Sequence, residues 1–460
     1  METYDVIIIG AGQAGDPLST ALAKAGKKTA VIEEKYVGGT CINVGCTPTK
    51  TMVASAEAAY LARRGQDYGV FHGETTVDLR KVRQRKEAIV QSFREGSRQR
   101  IVNAGASLIE GHAWFNHPKQ VEVKPNEGGE SRLLTAPVIV INAGARPTIP
   151  NIDGMQGVPY LDSTSIMELE QIPEHLLIIG GGYVALEFGQ MFRRFGSRVT
   201  IIQRGSQLLA REDEDVAQAI LEILRQDGIE VLLNADVQRI NKEANGTITI
   251  NVKSAEGERT VSGSHVLTAV GRTPNSNRLN LPAAGVKTDP IGNILTDDRL
   301  ETNVAGVFAL GDIKGGPAFT HISYDDYRIL KTNLIGQGGA STQGRLVPYT
   351  VFTDPQLGRI GLTEKEARGK GLKVQVAQIP MSYIARAIEL DRERGLMKAV
   401  VAADSKQILG AAILGYEGGE LMAMIEIAMM GKLPYTALRD GVFAHPTLAE
   451  SFNNLFASLG

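Results

Sequence analysis

Four short apolar runs punctuate this 460-residue chain: Val6–Ile9, Thr29–Ile32, Leu176–Ile179 and Val199–Ile202. Runs of this length without a polar face read as buried strands of a parallel sheet. The first and third run into glycine loops, and each loop opens a helix-like stretch, Leu18 to Ala25 in one case and Leu186-Glu187-Phe188 onward in the other. Strand, glycine loop, helix and second strand, twice over, predict an α/β protein with two Rossmann-like units. Between polar segments, Pro125-Asn126-Glu127-Gly128-Gly129-Glu130 reads as a hairpin loop. Arg211-Glu212-Asp213-Glu214-Asp215 reads as a solvated helix start, with acids favourable at the N-terminus. The apolar helical stretch Leu421 to Met430 carries Met422, Met424, Met429 and Met430. Soft copper ligation is one reading of these methionines; core or dimer packing is preferred. No repeat is evident beyond the two loop units.

Composition adjusts this picture only modestly. The length suggests about three domains. A hydrophobic fraction of 43% with 51 glycines fits an α/β protein with ample core. The formal charge of −2 and the absence of a basic, aromatic-interleaved stretch argue against nucleic acid. No apolar span reaches transmembrane length, and Met1 leads almost directly into a strand without a signal-type run. With only two cysteines, the expected setting is a reducing cytoplasm, where a disulfide is catalytic rather than structural.

The first loop is Gly10-Ala11-Gly12-Gln13-Ala14-Gly15, and the strand after its helix ends at Glu33. Gly10 allows a tight turn, Gly12 lets a pyrophosphate approach, Gly15 lets helix and strand pack, and Glu33 can accept from a ribose hydroxyl. Asp16-Pro17 is unusual there, but proline is tolerated in a first turn. The second loop is Gly180-Gly181-Gly182-Tyr183-Val184-Ala185, and its following strand ends in Gln203-Arg204 without a carboxylate. A guanidinium suits a 2′-phosphate, so Arg204 favours NADPH over NADH; a solvated loop residue is the alternative.

The two cysteines lie five apart in Gly38-Gly39-Thr40-Cys41-Ile42-Asn43-Val44-Gly45-Cys46-Thr47-Pro48-Thr49-Lys50. That spacing suits neither a zinc clip nor a thioredoxin-type pair. A regular helix would separate them by about 7.5 Å of rise, whereas a disulfide needs Cα atoms within about 4.4–6.8 Å. A bond therefore requires a distorted first turn, for which Gly45 and Pro48 are suited. A thiolate at a helix N-terminus is stabilised and made more nucleophilic. Two dinucleotide loops beside one such pair suggest a flavin and a nicotinamide exchanging electrons, with the cysteine pair as a third station.

These residues resemble the pyridine nucleotide-disulfide oxidoreductases, the family of glutathione reductase, dihydrolipoyl dehydrogenase and mercuric reductase. The resemblance covers nearly the whole chain. Besides the loops and the cysteine segment, it is carried by Asn142-Ala143-Gly144-Ala145-Arg146-Pro147, Val270-Gly271-Arg272-Thr273-Pro274-Asn275, Ala309-Leu310-Gly311-Asp312 and His445-Pro446-Thr447-Leu448-Ala449-Glu450. It implies an FAD-binding domain over residues 1–150 with a return segment at 271–344, an NAD(P)H-binding domain over 151–270, and a C-terminal α+β dimerisation domain over 345–460. By the same resemblance Cys46 is the thiol lying against the flavin and Cys41 the thiol that attacks substrate. Lys50 and Glu187 are an ion pair beside the flavin, and Tyr183 covers the nicotinamide pocket. Asp312 binds the ribityl or phosphate region, Gly39, Thr40, Ala113, Gly144 and Thr320 fall where the family touches FAD, and Gly271 is a further cofactor-binding position. His445 with Glu450 resembles an acid–base dyad that reaches the cysteines of the other subunit, which implies a homodimer with shared sites and no resident metal.

The segment Ala318 to Arg328 looks most like a branch near mercuric reductase that includes flavoenzymes of reactive-chlorine defence and copper reduction. With its two cysteines at 41 and 46, the sequence has none of the vicinal C-terminal cysteines of mercuric reductases, and His445 also departs from them. Gln203-Arg204 departs from dihydrolipoyl dehydrogenase, and no clear glutathione-binding arginine set is present. The expected activity is NADPH-dependent electron transfer through FAD and the cysteine pair to a small disulfide or soft metal ion. The rivals are an NAD-dependent dihydrolipoyl dehydrogenase and a flavin-binding subunit without turnover. His321 has two open readings, flavin pocket or packing.

Overall fold

In the computed structural model, which describes residues 1–459, the apolar runs form the middles of two parallel sheets. Val6–Ile9 is buried at every position and pairs in parallel with Thr29–Glu33 on one side and Val138–Ile141 on the other. Having neighbours on both edges and layers on both faces, it has no position for a polar side chain. Strands Val307–Ala309 and Ser107–His117 extend this sheet, and antiparallel strands at Gln120–Pro125 and Arg132–Thr135, with Glu2–Thr3 parallel to the last, bring it to eight. The loop expected at 125–130 does join an antiparallel pair.

Leu176–Ile179 is the middle of a second, five-stranded parallel sheet, between Arg198–Ile202 and His265–Thr268. A three-stranded antiparallel sheet over 236–263 lies beside it. Ala145–Pro147 pairs with Arg272–Pro274 where the chain leaves the first sheet and returns to it. The C-terminal part is a five-stranded antiparallel sheet packed by helix Gly418–Met430.

Ion pairs clamp the second unit onto the C-terminal sheet. Asp354 Oδ2 accepts from Arg194 at 2.6 Å and from Arg392 at 2.7 Å. Burial pushes this carboxyl up, but the two guanidinium groups hold it below its usual range. Buried Lys398 meets Asp213, Asp215 and Glu364 at 3.4, 2.8 and 2.9 Å.

The acidic segment at 211–215 corrects the sequence reading. Its backbone does start a helix at Glu214, but Glu212 and Asp213 are buried rather than solvated. Asp213 accepts from the backbone N–H groups of Glu364 and Lys365, and Glu212 accepts from the Tyr349 hydroxyl. Strand Tyr349–Val351 of the C-terminal sheet and the start of helix Glu364–Gly369 supply these partners, which local sequence cannot reveal. Of these methionines Met422 is buried in the core, while Met424 and Met430 are exposed. Among the described residues no helix is long and apolar enough to cross a membrane.

Candidate active site

Helices Gly39–Val44 and Cys46–Arg63 meet at Gly45, whose φ of −132° and ψ of −115° break what would otherwise be one helix. This is the distortion that the cysteine spacing required. No disulfide joins the two cysteines, and Cys46 Sγ lies 3.3 Å from Thr320 Oγ1. The Cys46 thiol is lowered to about 6, first by the hydrogen bond from Cys41, then by that from Thr320 and by the Lys50 charge, against burial. Cys41 is pushed up by the same shared hydrogen bond and by burial. The pair therefore gives up its first proton from Cys46, as expected of a thiolate at a helix start.

One turn further along the same helix, Lys50 Nζ donates to Glu187 Oε2 at 2.6 Å. Glu187 is buried, and its other oxygen accepts from the Phe352 backbone N–H at 2.9 Å. The Lys50 ammonium also lies 4.7 Å from the centre of the Phe352 ring. The ion pair thus joins three distant segments and spends both carboxylate oxygens, which fixes the cation beside the thiols.

The first glycine loop fits a dinucleotide. A Cβ on Gly15 would lie 2.0 Å from the Gly10 carbonyl oxygen, so loop and helix touch backbone to backbone. Glu33 Oε2 accepts from Ala11 N–H at 2.9 Å, and Asn142 Oδ1 accepts from Gly15 N–H at 3.0 Å. Asn142 Nδ2 donates to the Leu310 carbonyl, tying the loop to the strand before Asp312. Buried Asp326 accepts from Gly311 N–H and pairs with Arg345 and Lys314. Arg272 Nε lies 3.9 Å from Asp312 Oδ2 without a hydrogen bond, and Arg272 also lies 3.4 Å from Thr40 Oγ1. Burial raises the Asp312 carboxyl against the opposing Arg272 charge. A guanidinium N–H without a hydrogen bond beside a half-buried carboxylate and a glycine cradle suits a phosphate- and hydroxyl-bearing ligand. Gly39, Gly144 and Gly271 all have positive φ near this seam. Ala113 is buried within its strand, so only its backbone could meet a ligand.

In the second loop, Gly182 has an ordinary φ and open space where a Cβ would stand, whereas Gly180 (φ +119°) is pressed against the Ala269 carbonyl. Nothing in the fold requires glycine at 182, and the space beside it is open to a ligand. Tyr183, at the start of helix Tyr183–Phe195, is 37% exposed and tilts against Phe319 at 6.3 Å. Burial raises its hydroxyl, which shares its surroundings with Arg272, Glu187, Asp312 and Cys46. Gln203 packs against Gly181, and Arg204 is exposed.

His445 Nδ1–H donates to Glu450 Oε2 at 2.8 Å, and the imidazole is 66% exposed. Among the described residues it makes no hydrogen bond to either cysteine of its own chain. His321 Nε2 meets the Pro348 carbonyl and its ring stacks on Phe319, which is a packing arrangement. Asn142, Arg272, Asp326 and Phe352 had no role in the sequence reading. Asn142 had a signal, a lone amide after the apolar strand Val138–Ile141; Phe352 had none, since it acts through its backbone.

Residues 4–326 match the family described as pyridine nucleotide-disulphide oxidoreductase, and residues 347–456 match its dimerisation domain. The chain is 38% identical to the probable pyridine nucleotide-disulfide oxidoreductase RclA of Escherichia coli (strain K12), over 99% of each. It is 33% identical to a mercuric reductase of Staphylococcus aureus, over 97% of this chain and 81% of that one. A dihydrolipoyl dehydrogenase of Chlamydia muridarum is 31% identical over 98% and 95%. Among solved structures, a Cu(II) complex of the HOCl-induced flavoprotein disulfide reductase RclA from Escherichia coli superposes with a TM-score of 0.91, at 37% identity and 100% coverage of both chains.

Proposed function

From the premise that this chain belongs to the pyridine nucleotide-disulphide oxidoreductase family of FAD-dependent enzymes, we propose that it is an NADPH-dependent reductase delivering electrons through Cys41 and Cys46 to a soft metal ion or a small disulfide. The observation that carries this is the Cys46 thiol, lowered to about 6 beside Thr320 and the Lys50–Glu187 pair. FAD and the reduced nicotinamide, when bound, supply the two electrons that open the Cys41–Cys46 disulfide.

FAD is assigned to residues 1–150 and 271–344, on Gly10, Gly12, Gly15, Glu33, Gly39, Thr40, Gly144, Gly271, Asp312, Thr320 and the Ala113 backbone. The nicotinamide nucleotide is assigned to 151–270, on Gly180, Gly182, Tyr183, Glu187 and Arg204. The exposed Arg204 cation and the neutral Gln203 support NADPH. Residues 345–460 are assigned to the dimer, in a reducing cytoplasm.

With a disulfide acceptor, His445 of a second copy, held by Glu450, takes the proton of the Cys41 thiol as that sulfur attacks the substrate disulfide, and returns it to the leaving thiolate. Cys46 thiolate then displaces the second thiolate and the Cys41–Cys46 bond reforms. With a soft metal ion, the thiolates bind it, and closing the disulfide releases two electrons, which reduce one Hg(II) to Hg(0) or two Cu(II) to Cu(I). The name of the mercuric reductases and the Cu(II) complex of RclA support a metal acceptor.

The test is anaerobic reduction by NADPH followed by thiol titration and rapid mixing with Cu(II), Hg(II), glutathione disulfide or lipoamide. Two additional thiols per chain and fast reoxidation by at least one of the first three are expected. An unchanged thiol titre sinks the proposal. NADH preference with fast lipoamide turnover would instead favour a dihydrolipoyl dehydrogenase.

A further inference from the structure

The Tyr183 ring rests on an aromatic assembly drawn from other parts of the chain. Phe319, the residue before helix Thr320–Ile335, tilts against Tyr183 at 6.3 Å. Phe319 is itself stacked nearly parallel with Tyr349 at 5.5 Å and 16°, and with His321 at 5.3 Å and 10°. Both outer rings are tethered. His321 Nε2 meets the Pro348 carbonyl at 2.7 Å, and the Tyr349 hydroxyl donates to Glu212 Oε1. Glu212 is buried, and its Oε2 has only a 3.7 Å ion pair with Arg359 and no hydrogen bond. Tyr349 and Arg359 face each other across the strand pair Tyr349–Val351 and Gln356–Gly361. The phenol is therefore the best partner of a buried carboxylate that comes from the nucleotide-binding unit. The nucleotide unit, the segment after Asp312 and the C-terminal sheet meet in this one assembly.

We propose that Phe319 and Tyr349 are positioning residues that latch Tyr183 in its resting place through the Tyr183–Phe319–Tyr349–Glu212 chain of contacts, and so set how readily a nicotinamide enters. The proposal rests on the reading of Tyr183 as the nicotinamide cover. When the nicotinamide ring enters, Tyr183 leaves Phe319 and loses an aromatic contact that the incoming ring must outweigh. Phe319 is kept from following because its two stacking partners are anchored. The binding constant for the nucleotide thus carries the latch as a fixed penalty, whereas the thiol chemistry does not.

Calorimetric titration of the purified holoprotein with NADP⁺ tests this on three variants. Phe319→Leu removes the latch surface, and its Kd is expected to fall by about two- to tenfold, the equivalent of one aromatic pair. Tyr349→Phe keeps the stack and drops the tether, so a smaller fall is expected. Tyr183→Ala removes the cover, and its Kd should fall at least as far as that of Phe319→Leu, with no further gain in the double variant. Phe319→Leu and Tyr349→Phe should keep two NADPH-reducible thiols per chain, which separates latch loss from general damage. If Tyr183→Ala tightens binding and Phe319→Leu, folded by circular dichroism, does not, the latch is refuted while the cover survives. If Tyr183→Ala leaves Kd unchanged, both the cover and the latch fall.

Discussion

The residue that most needs explaining is Cys46. A free thiol ionises near pH 8.5, yet the Cys41 hydrogen bond, Thr320 and Lys50 bring this one to about 6. A lowered thiol is a thiolate above its pKa, so the reduced protein should keep one nucleophilic sulfur through neutrality and lose it only as the pH falls through 6. Site-resolved alkylation by iodoacetamide, read by peptide mass spectrometry, should show Cys46 half-maximal near pH 6 and Cys41 reacting only at higher pH. Replacing Lys50 with Met should move the Cys46 midpoint upward, since a neighbouring cation is removed. A single midpoint at the free-thiol value for both sulfurs would contradict the asymmetry. The cysteine spacing was legible in the sequence, and the resemblance paired Lys50 with Glu187. The hydrogen bond from Phe352 to that pair was not, because a backbone N–H has no signature in residue type.

Among the elements, the two glycine loops make an internal contrast. Gly15 is glycine because backbone atoms fill the place of its Cβ, whereas Gly182 has free space there. Gly15→Ala should therefore damage the fold, at about 1–3 kcal/mol or more for an overpacked site, and yield protein with substoichiometric flavin. Gly182→Ala should leave thermal stability within about 0.5 kcal/mol while NADP⁺ affinity drops about tenfold or more, because the alanine methyl meets only the ligand's phosphates. Differential scanning calorimetry and nucleotide titration check both. Equal destabilisation by the two substitutions would remove the distinction. Strand, loop and helix were readable here because each depends on neighbours within about thirty residues. Asn142 bracing Gly15 was not, since it arrives from another strand.

For the whole molecule, helix Gly418–Met430 buries Met422 and Ile425 in the core while Met424, Ile427 and Met430 stand 41%, 63% and 63% exposed. Leu433 continues that apolar surface at 44%. A contiguous exposed apolar face is the mark of an interface, and it lies within the dimerisation domain. The double substitution Ile427→Glu with Met430→Glu should shift sedimentation from dimer to monomer. If His445 serves the second copy's cysteines, acceptor turnover should fall about 10²-fold or more with it, while NADP⁺ binding persists. Full turnover by a monomer would put His445 to work within its own chain.

By itself the sequence determined the buried strands, both glycine loops, the cysteine spacing and the His445–Glu450 motif, because each is a local pattern of residue types. Only the tertiary structure decided which ionisable groups are buried and what they face. Glu212 and Asp213 look like solvated acids along the chain, and become a tether and a helix cap once strand Tyr349–Val351 and the start of helix Glu364–Gly369 supply their partners. The Tyr183 seat is decided in the same way, since Phe319, Tyr349 and Glu212 come from three distant segments. Periodicity records which face of an element is apolar, but not which remote backbone or side chain will close over it.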